Sequence, residues 1–540
     1  MRRVPNALRA LRLRPPASAQ DERKWWAAIW IPLLLGALSA FAFQPVDWWP
    51  LLPIAFAGLC ELLLRAPTLR RALAIGYAFG FAQFLIAMNW IATAFTYQSN
   101  MPAWLGWVGV LLVALYLAFY PAMAAGLAWR LSRGGRVPLL LTLAGAWAVT
   151  EWLRAGMFAG FPWNPAGVVL ADTPLLQVGA LIGTSGLSIL VVLLGGLLWL
   201  EIHRKYLEVV AIVAVMCLLW VLPASRVSVD PLAIESIRIV QPNIGQQDKW
   251  RPGFSDEAAR RLASLSARPG GDHPRLLFWP EAAVTDPLAD ARADQHQAFA
   301  LFERKRAAAF IGPGEYLLTG GIAVNSSDGR HVDGAANSIF VLGPGGKIVA
   351  RYDKAHLVPF GEYLPLRPLL SAIGLSRLAP GDLDFAPGPG PRTINLGERW
   401  RNVGMQLCYE IIFPGHVVDW SHRPDFIFNP SNDAWFGRWG PPQHLAQAQL
   451  RAAEEGIPII RSTPTGISAI IDARGEIVQS LPWRTAGVID SELPPPAIVP
   501  TPFARFGNLI PLLLAFAMIV GATALATIAL GTGQRYRRGT

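Results

Sequence analysis

Cysteine is scarce in this sequence: three occur in 540 residues, and none stands at a paired spacing. This scarcity excludes a disulfide framework but leaves the redox compartment undecided. Charge is scarce as well, because 16% of the residues are charged while 53% are hydrophobic and 21 are tryptophan. Such a composition is not that of a soluble enzyme, and it indicates a membrane protein.

The basic residues lie where a membrane protein needs them. The formal net charge is +10, which on its own is also typical of a protein that binds nucleic acid. The lysines and arginines, however, cluster at the ends of apolar runs. We therefore predict that the charge serves membrane topology, and we expect no nucleic-acid partner.

Eight apolar segments approach or exceed the length needed to cross a hydrocarbon core, which is about 20 helical residues. Seven of them precede a more polar region and one follows it. The predicted spans are 26–43, 49–65, 72–95, 103–130, 137–154, 175–200, 207–223 and 509–530.

The loops between these spans alternate in charge, and the alternation predicts their orientation. Basic residues follow every second span, whereas loops 44–49 and 97–102 contain no Lys or Arg. We therefore expect both termini inside and the region after the seventh span outside. The prediction depends on Arg65, Arg70, Arg71, Arg130, Arg133, Arg136, Arg204, Lys205, Arg535, Arg537 and Arg538.

The two ends of the chain are predicted to be cytoplasmic tails, at 1–24 and 532–540. Residues 1–24 are basic and have little apolar content. A cleaved signal peptide is the alternative there, since an apolar stretch follows. The basic region is long, however, and further spans come after it.

The loop at 158–174 is rich in glycine, proline and aromatic residues, and it faces the same side as the polar region. It is predicted to be either part of a substrate surface or an interfacial aromatic belt. Glu151 and Arg154, near the outer end of the fifth span, are one helical turn apart and close enough to pair. Because charges at that depth are costly, we predict a buried ion pair.

Residues 225–496 have the composition of one globular α/β domain between the membrane domain at 25–224 and a linker with the last span at 497–531. Gly-Pro-Gly-Gly at 343–346 predicts a hairpin between two short strands. Helices are predicted at 257–266, 294–305 and 443–455. Further strands are predicted at 236–240, 276–279, 308–311, 338–342, 403–407, 426–428, 457–460 and 468–471.

Cys408 is the one cysteine outside the very apolar segments; Cys60 and Cys217 are predicted to be small buried hydrophobic residues there. An apolar run leads into Cys408 and a Phe-Pro break follows, as when a buried strand delivers a residue to a turn. Taken alone, Cys408 is best interpreted as a core thiol. A nucleophilic thiol must become a thiolate, which requires a base or a positive charge nearby.

Two other segments place such groups at predicted strand ends. Glu281 follows the strand-like run Leu-Leu-Phe-Trp-Pro. Lys354, His356 and Glu362 lie in one segment directly after the hairpin. From spacing alone, His356 is a rival to Glu281 as the base.

These motifs resemble those of the nitrilase superfamily: a glutamate after a strand, a lysine in Tyr-Asp-Lys-Ala-His-Leu-Val-Pro-Phe-Gly-Glu, and a cysteine in Cys-Tyr-Glu. The resemblance implies an α-β-β-α sandwich with a Glu-Lys-Cys triad. With seven spans before this domain and one after it, the chain resembles the apolipoprotein N-acyltransferase family over nearly its whole length.

The resemblance implies that Glu281 is the general base, Lys354 the cation that stabilises the oxyanion and Cys408 the nucleophile. The plain alternatives are a surface acid, a solvated lysine and a core thiol. Glu362 matches a second essential acid near the triad. The resemblance gives His356 no catalytic part, so it is predicted to be structural.

Three further residues match the family's active-site pattern. Tyr409 and Glu410 flank the nucleophile, and the backbone N–H of Tyr409 is expected to supplement Lys354 in the oxyanion hole. Trp250 matches an active-site tryptophan, with a simple packing role as the alternative.

The implied reaction is a ping-pong acyl transfer from a phospholipid to the α-amine of a diacylated apolipoprotein, through a thioester on Cys408. It requires no metal or cofactor. The implied location is the bacterial inner membrane, with the catalytic domain periplasmic and the protein acting as a monomer. Apolar loops at 360–375 and 432–440 are expected either to enter the membrane interface or to form pocket walls.

Two other functions remain compatible with parts of the pattern. A membrane-tethered amidase or nitrilase acting on small molecules would keep the same triad and need no lipid. A transporter or scaffold with a degenerate domain would be expected to lack a triad member, and none is missing.

Overall fold

The computed structural model describes residues 27–97, 101–221, 235–249, 251, 253–267, 274–372, 374–378 and 384–538. The predicted tail at 1–24 and the end of the seventh predicted span lie outside these residues.

The amino-terminal half is a bundle of apolar helices, and each predicted span coincides with one helix or two adjoining ones. By length and hydropathy, the described helices able to cross a membrane are Leu105–Ser132, Pro174–Ile202 and Leu509–Ile528; the bent pair Leu69–Ala87 and Ile91–Tyr97 adds a fourth if it is one span. A membrane-helix domain is thus present, while the total of eight spans stays a prediction. The helices are α1 (Ala27–Ser39), α2 (Leu51–Arg65), α3 (Leu69–Ala87), α4 (Ile91–Ala94), α5 (Leu105–Leu117), α6 (Phe119–Ser132), α7 (Arg136–Gly156), α8 (Gly179–Ile202) and α9 (Tyr206–Val221).

The second half contains two β-sheets. In the first the strand order is β13-β1-β2-β4-β5-β6 with β3 also on β4, and in the second it is β12-β11-β10-β9-β8-β7. The central strands β1, β2 and β4, and β8, β9 and β10, run parallel. The strands are β1 (Ser236–Gln241), β2 (Leu276–Phe278), β3 (Pro287–Asp290), β4 (Tyr316–Asn325), β5 (Gly334–Gly343), β6 (Lys347–Asp353), β7 (Arg392–Asn395), β8 (Asn402–Met405), β9 (Phe426–Pro430), β10 (Ile459–Ser462), β11 (Ala469–Ile471), β12 (Ile477–Ser480) and β13 (Gly487–Glu492).

The two sheets pack face to face and helices cover their outer faces. The ring of Phe278 in the first sheet lies 5.0 Å from that of Phe428 in the second, centroid to centroid. Alternate residues of a strand point to opposite faces, so Leu277 instead packs in an outer layer with Leu262 and Ala307. The predicted α-β-β-α sandwich is therefore confirmed. Its helices are α10 (Gln246–Lys249), α11 (Phe254–Ser266), α12 (Gln295–Ala307), α13 (Arg367–Ala372) and α14 (Gly440–Glu455), with α15 (Pro502–Phe506) and α16 (Leu509–Arg538) following.

One predicted strand is wrong. Residues 308–311 were expected in the sheet because they form a short apolar run. They instead continue from α12 into a 3-10 turn at Ala308–Phe310. Ala307 and Ala308 pack in the outer layer of helices, so their burial does not require a strand, and β4 starts further on, at Tyr316.

Helix α14 lies between the second sheet and the membrane helices. Leu445 and Ala448 pack in the core of the sandwich, whereas Ala446 and Leu450 pack in the core of the helical bundle. The polar residues of α14, such as Gln443 and Arg451, are buried as well. The two domains therefore share α14 as a common layer.

A break in α8 forms the main polar contact between the domains. Gly183 has a φ of 65°, and a Cβ there would lie 2.2 Å from the ring of Phe503. The next residue, Thr184, donates its backbone N–H to Glu454 Oε1 at 2.5 Å and its hydroxyl to the same oxygen at 2.7 Å. Arg451 pairs with Glu454 at 2.7 Å and also donates to the Thr184 hydroxyl.

We expect Glu454→Ala to destabilise the protein by about 3–5 kcal/mol, because it leaves the buried Arg451 cation and the Thr184 N–H without their acceptor. The measurement is the thermal unfolding midpoint of the full-length protein in detergent. The exposed Glu476→Ala serves as the control and should unfold like the wild type. A wild-type midpoint for Glu454→Ala would show that this contact does not hold the domains together.

Candidate active site

Cys408 stands at the end of β8, as its sequence context predicts. It begins the 3-10 turn Cys408–Ile412, and its side chain is buried, with 5% of the residue exposed. Burial and the negative charge of Glu281 raise the pKa of the thiol well above its ordinary value, and Lys354 opposes that rise. The resting group is therefore a thiol, which needs a base at the moment of attack.

Glu281 follows β2 and is held close to β4. A Cβ on Gly320 would lie 2.6 Å from the Cα of Glu281, so a glycine is needed for this approach. One carboxylate oxygen, Oε1, accepts a hydrogen bond from Asn337 Nδ2 at 2.8 Å. The other, Oε2, is buried and has no hydrogen-bond partner among the described residues. It is free to take a proton.

Lys354 follows β6 and is almost fully buried, at 1% exposure. Its ammonium lies 2.8 Å from Glu362 Oε2. Burial disfavours the charge, but the carboxylates of Glu362 and Glu281 outweigh it and raise the pKa of Lys354. The lysine is therefore a fixed cation at this site and not a proton carrier.

Asn337 connects these groups, although no motif in the sequence singles it out. Its amide nitrogen donates at 2.8 Å to Glu281 Oε1 and at 2.8 Å to Glu362 Oε1. Its backbone oxygen accepts from the N–H of Lys354 at 2.9 Å. It stands on β5, where an alternating strand pattern does not distinguish it from an ordinary polar residue.

Glu410 links the lysine segment to the nucleophile turn. Its Oε1 accepts from the hydroxyl of Tyr352 at 2.8 Å and from the backbone N–H groups of Ala355 and His356 at 2.8 and 3.0 Å. Its Oε2 accepts from the N–H of Leu407 at 2.7 Å. Both carboxylate oxygens are thus bound to the protein, and the carboxylate aligns the two segments.

Tyr409 and His356 both reach the loop at 158–174. The hydroxyl of Tyr409 donates to the backbone oxygen of Gly160 at 3.0 Å, and His356 Nε2 donates to that of Ala159 at 2.8 Å. Burial lowers the pKa of His356. The imidazole is thus engaged with the membrane domain, in keeping with the structural role predicted for it.

Lys249 is a second buried lysine near the site, and sequence reasoning missed it. Its ammonium donates to the backbone oxygen of Glu281 at 3.3 Å. Burial lowers its pKa to about 8, against the charges of Glu281 and Cys408. A single Lys in the polar turn Gln-Gln-Asp-Lys carried no signal of burial. Its neighbour Trp250 lies outside the described residues, so its predicted role stays a prediction.

The charges of Glu151 and Arg154 interact, as predicted, but each side chain hydrogen-bonds to the 158–174 loop and not to the other. Glu151 Oε1 accepts from the backbone N–H of Ala166 at 2.8 Å, and Arg154 donates to the backbone oxygen of Trp163 at 2.8 Å. These hydrogen bonds offset part of the cost of burying the two charged groups. The loop is therefore clamped against α7.

The two apolar loops differ in their surroundings. In the loop at 432–440, the ring of Phe436 lies 4.8 Å from that of Trp90 and 5.4 Å from that of Trp163, so this loop is a wall against the membrane domain. In the segment at 360–375, Phe360 and Leu366 are exposed.

The described residues contain no group of three or more His, Cys, Asp or Glu side chains arranged to hold a metal ion.

Comparisons with known proteins match almost the whole chain. The family model described as apolipoprotein N-acyltransferase N-terminal domain matches residues 35–197, and the one described as carbon-nitrogen hydrolase matches residues 237–503. The apolipoprotein N-acyltransferase of Rhodopseudomonas palustris is 34% identical over 90% of this chain and 92% of its own length. That of Bradyrhizobium diazoefficiens is 34% identical over 89% and 92%. The solved structure of Saccharomyces cerevisiae Nit3, a nitrilase-superfamily member, aligns with 49% of this chain and 93% of its own, at 18% identity and a TM-score of 0.35.

We expect alkylation of Cys408 by iodoacetamide to accelerate about tenfold per pH unit between pH 7 and 9, since the thiolate fraction grows by that factor below the pKa. Lys354→Met should slow it at every pH because the charge that favours the thiolate is lost. The exposed Lys347→Met is the matched control and should label like the wild type. Peptide mass spectrometry measures labelling at Cys408 alone. A plateau near pH 7 in the wild type would contradict the raised pKa.

Proposed function

The chain belongs to the apolipoprotein N-acyltransferase family, and from that premise we propose that it transfers a fatty acyl chain from a phospholipid to the α-amine of a diacylated apolipoprotein. The acyl group passes through a thioester on Cys408. The observation that carries this proposal is one buried site where an unpartnered Glu281 oxygen, a fixed Lys354 cation and the Cys408 thiol meet.

In the first half-reaction, Glu281 Oε2 takes the proton of the Cys408 thiol. The sulfur attacks the ester carbonyl carbon of the phospholipid, and the oxyanion that forms is stabilised by Lys354 and by the backbone N–H of Tyr409. The carbon–oxygen bond to the glycerol then breaks. Glu281 returns its proton to the departing oxygen, so lysophospholipid leaves and the acyl group remains on sulfur.

In the second half-reaction, the neutral α-amine of the apolipoprotein attacks the thioester carbon. Glu281 removes a proton from the nitrogen as the carbon–nitrogen bond forms. The carbon–sulfur bond breaks and the thiolate recovers the proton from Glu281. The products are an amide-linked acyl chain and the starting enzyme. Glu362 and Asn337 support this cycle by holding Lys354 and Glu281 in place.

The arrangement of the chain supports a site supplied from the membrane. The nucleophile turn contacts the 158–174 loop through Tyr409, and α14 joins the catalytic domain to the helical bundle. We propose eight spans, with the domain at 225–496 on the periplasmic face of the bacterial inner membrane and both termini cytoplasmic. The domain boundaries and a monomeric state belong to the same proposal.

The acyl-enzyme is the most direct test. Intact-protein mass spectrometry of the wild type after incubation with phospholipid alone should show one added fatty acyl group, removable by hydroxylamine. Cys408→Ala should show none while it still inserts into membranes. No thioester on the wild type, together with hydrolysis of small amides, would favour the membrane-tethered amidase.

Reporter fusions test the orientation. Alkaline phosphatase fused within the exposed turn at 327–332 of the full-length protein should be active in intact cells, since the domain is proposed to be periplasmic. Green fluorescent protein fused after residue 540 should fluoresce because that end is proposed to be cytoplasmic. The reverse pair of results would overturn the topology without touching the proposed chemistry.

A further inference from the structure

Cys408 has a backbone conformation that residues other than glycine rarely adopt. Its φ is 52°, in the left-handed region that L side chains avoid. Residues persist there when the surrounding structure over-determines them, and they cluster at functional sites. The groups that bind the backbone of Cys408 therefore help to determine the direction in which its sulfur points.

His444 on α14 binds the carbonyl oxygen of Cys408. Its Nε2 lies 3.2 Å from that oxygen, and because a carbonyl only accepts, Nε2 must donate. Asn429 Nδ2 approaches the same oxygen at 3.5 Å. The imidazole has no exposed surface, so water has no access to replace this hydrogen bond.

Asp433 and Arg461 stand behind the imidazole, and both are fully buried. Arg461 Nη2 lies 2.8 Å from each carboxylate oxygen of Asp433 and 3.0 Å from His444 Nδ1. Burial and the charge of Arg461 lower the pKa of His444. His444 Nδ1 also lies 3.1 Å from Asp433 Oδ1. Asp433 and Arg461 therefore both contact the Nδ1 side of the ring, while Nε2 donates to the Cys408 oxygen.

A second residue beside this network, Asn432, acts on the thiol of Cys408. The backbone N–H of Asn432, directly before Asp433, favours the thiolate of Cys408 and so opposes the rise in the pKa of the thiol. A buried ion pair is weak evidence for stability by itself. Here it fixes the imidazole that binds the carbonyl oxygen of the nucleophile.

Helix α14 also connects this network to the membrane domain through hydrogen bonds. Gln443, the residue before His444, accepts from the indole N–H of Trp163 at 2.8 Å and donates to the backbone oxygen of Gln44 at 2.9 Å. The imidazole therefore has a fixed place relative to both domains.

We propose that His444, backed by Asp433 and Arg461, is a positioning residue for acyl transfer: it holds Cys408 in its left-handed conformation so that the sulfur faces Glu281 and the incoming ester. The proposal rests on the proposed role of Cys408 as the nucleophile. His444 itself touches neither the substrate nor the reacting atoms.

Two amide variants of the full-length protein test this. In His444→Gln the side-chain amide can reach the Cys408 oxygen, whereas in His444→Asn it falls one methylene short. We expect thioester formation on phospholipid micelles to slow about 10- to 100-fold in His444→Asn, the scale of a misplacement of about 1 Å. The KM for phospholipid should stay unchanged, and His444→Gln should recover most of the rate.

Gln447→Leu, a buried substitution one turn along α14, is the control for general packing of the helix and should acylate like the wild type. Equal rates for the Gln and Asn variants, or an equal loss in Gln447→Leu, would overturn the positioning role. Alkylation of Cys408 by iodoacetamide needs no acyl donor and should also be slower in His444→Asn than in His444→Gln. It therefore tests His444 even if phospholipid proves not to be the donor.

Discussion

The carboxylate of Glu410 is the contact on which the active site depends. It accepts four hydrogen bonds, three from the segment that carries Lys354 and one from the residue before Cys408. Lys354 comes from the first sheet and Cys408 from the second, and the interior between the sheets is apolar. A buried carboxylate that is hydrogen-bonded to both segments fixes their relative position more firmly than apolar packing alone.

Charges around this carboxylate keep Lys354 a cation and Cys408 a thiol until the reaction begins. Glu362 keeps Lys354 charged, and Glu281 and burial keep Cys408 protonated. Among the described carboxylate oxygens of Glu281, Glu362 and Glu410, Glu281 Oε2 is the one without a hydrogen-bond partner. This oxygen and the Cys408 sulfur are the atoms between which the proposed mechanism first moves a proton.

Sequence patterns were informative where local periodicity and strand ends determine structure. The apolar runs predicted helices, and Glu281, Lys354 and Cys408 were each found after a strand, where the sequence had placed them. Contacts between distant segments were not predictable in this way. Asn337, Lys249 and His444 act through partners 25 to 56 residues away along the chain. The same limit applies to the contacts of Glu151 and Arg154 with the 158–174 loop, since spacing along a helix predicts pairing between its own residues and not contact with a loop's backbone.

Helix α14 limits which sequence changes such a protein can accept during evolution. Its sequence has to satisfy a sheet on one side and membrane helices on the other, while it also carries the imidazole behind the nucleophile. The catalytic domain is therefore not an exchangeable module. A chimera that joins the catalytic half of one relative to the membrane half of another would have to exchange the partners of α14 in α8 and in the 158–174 loop at the same time.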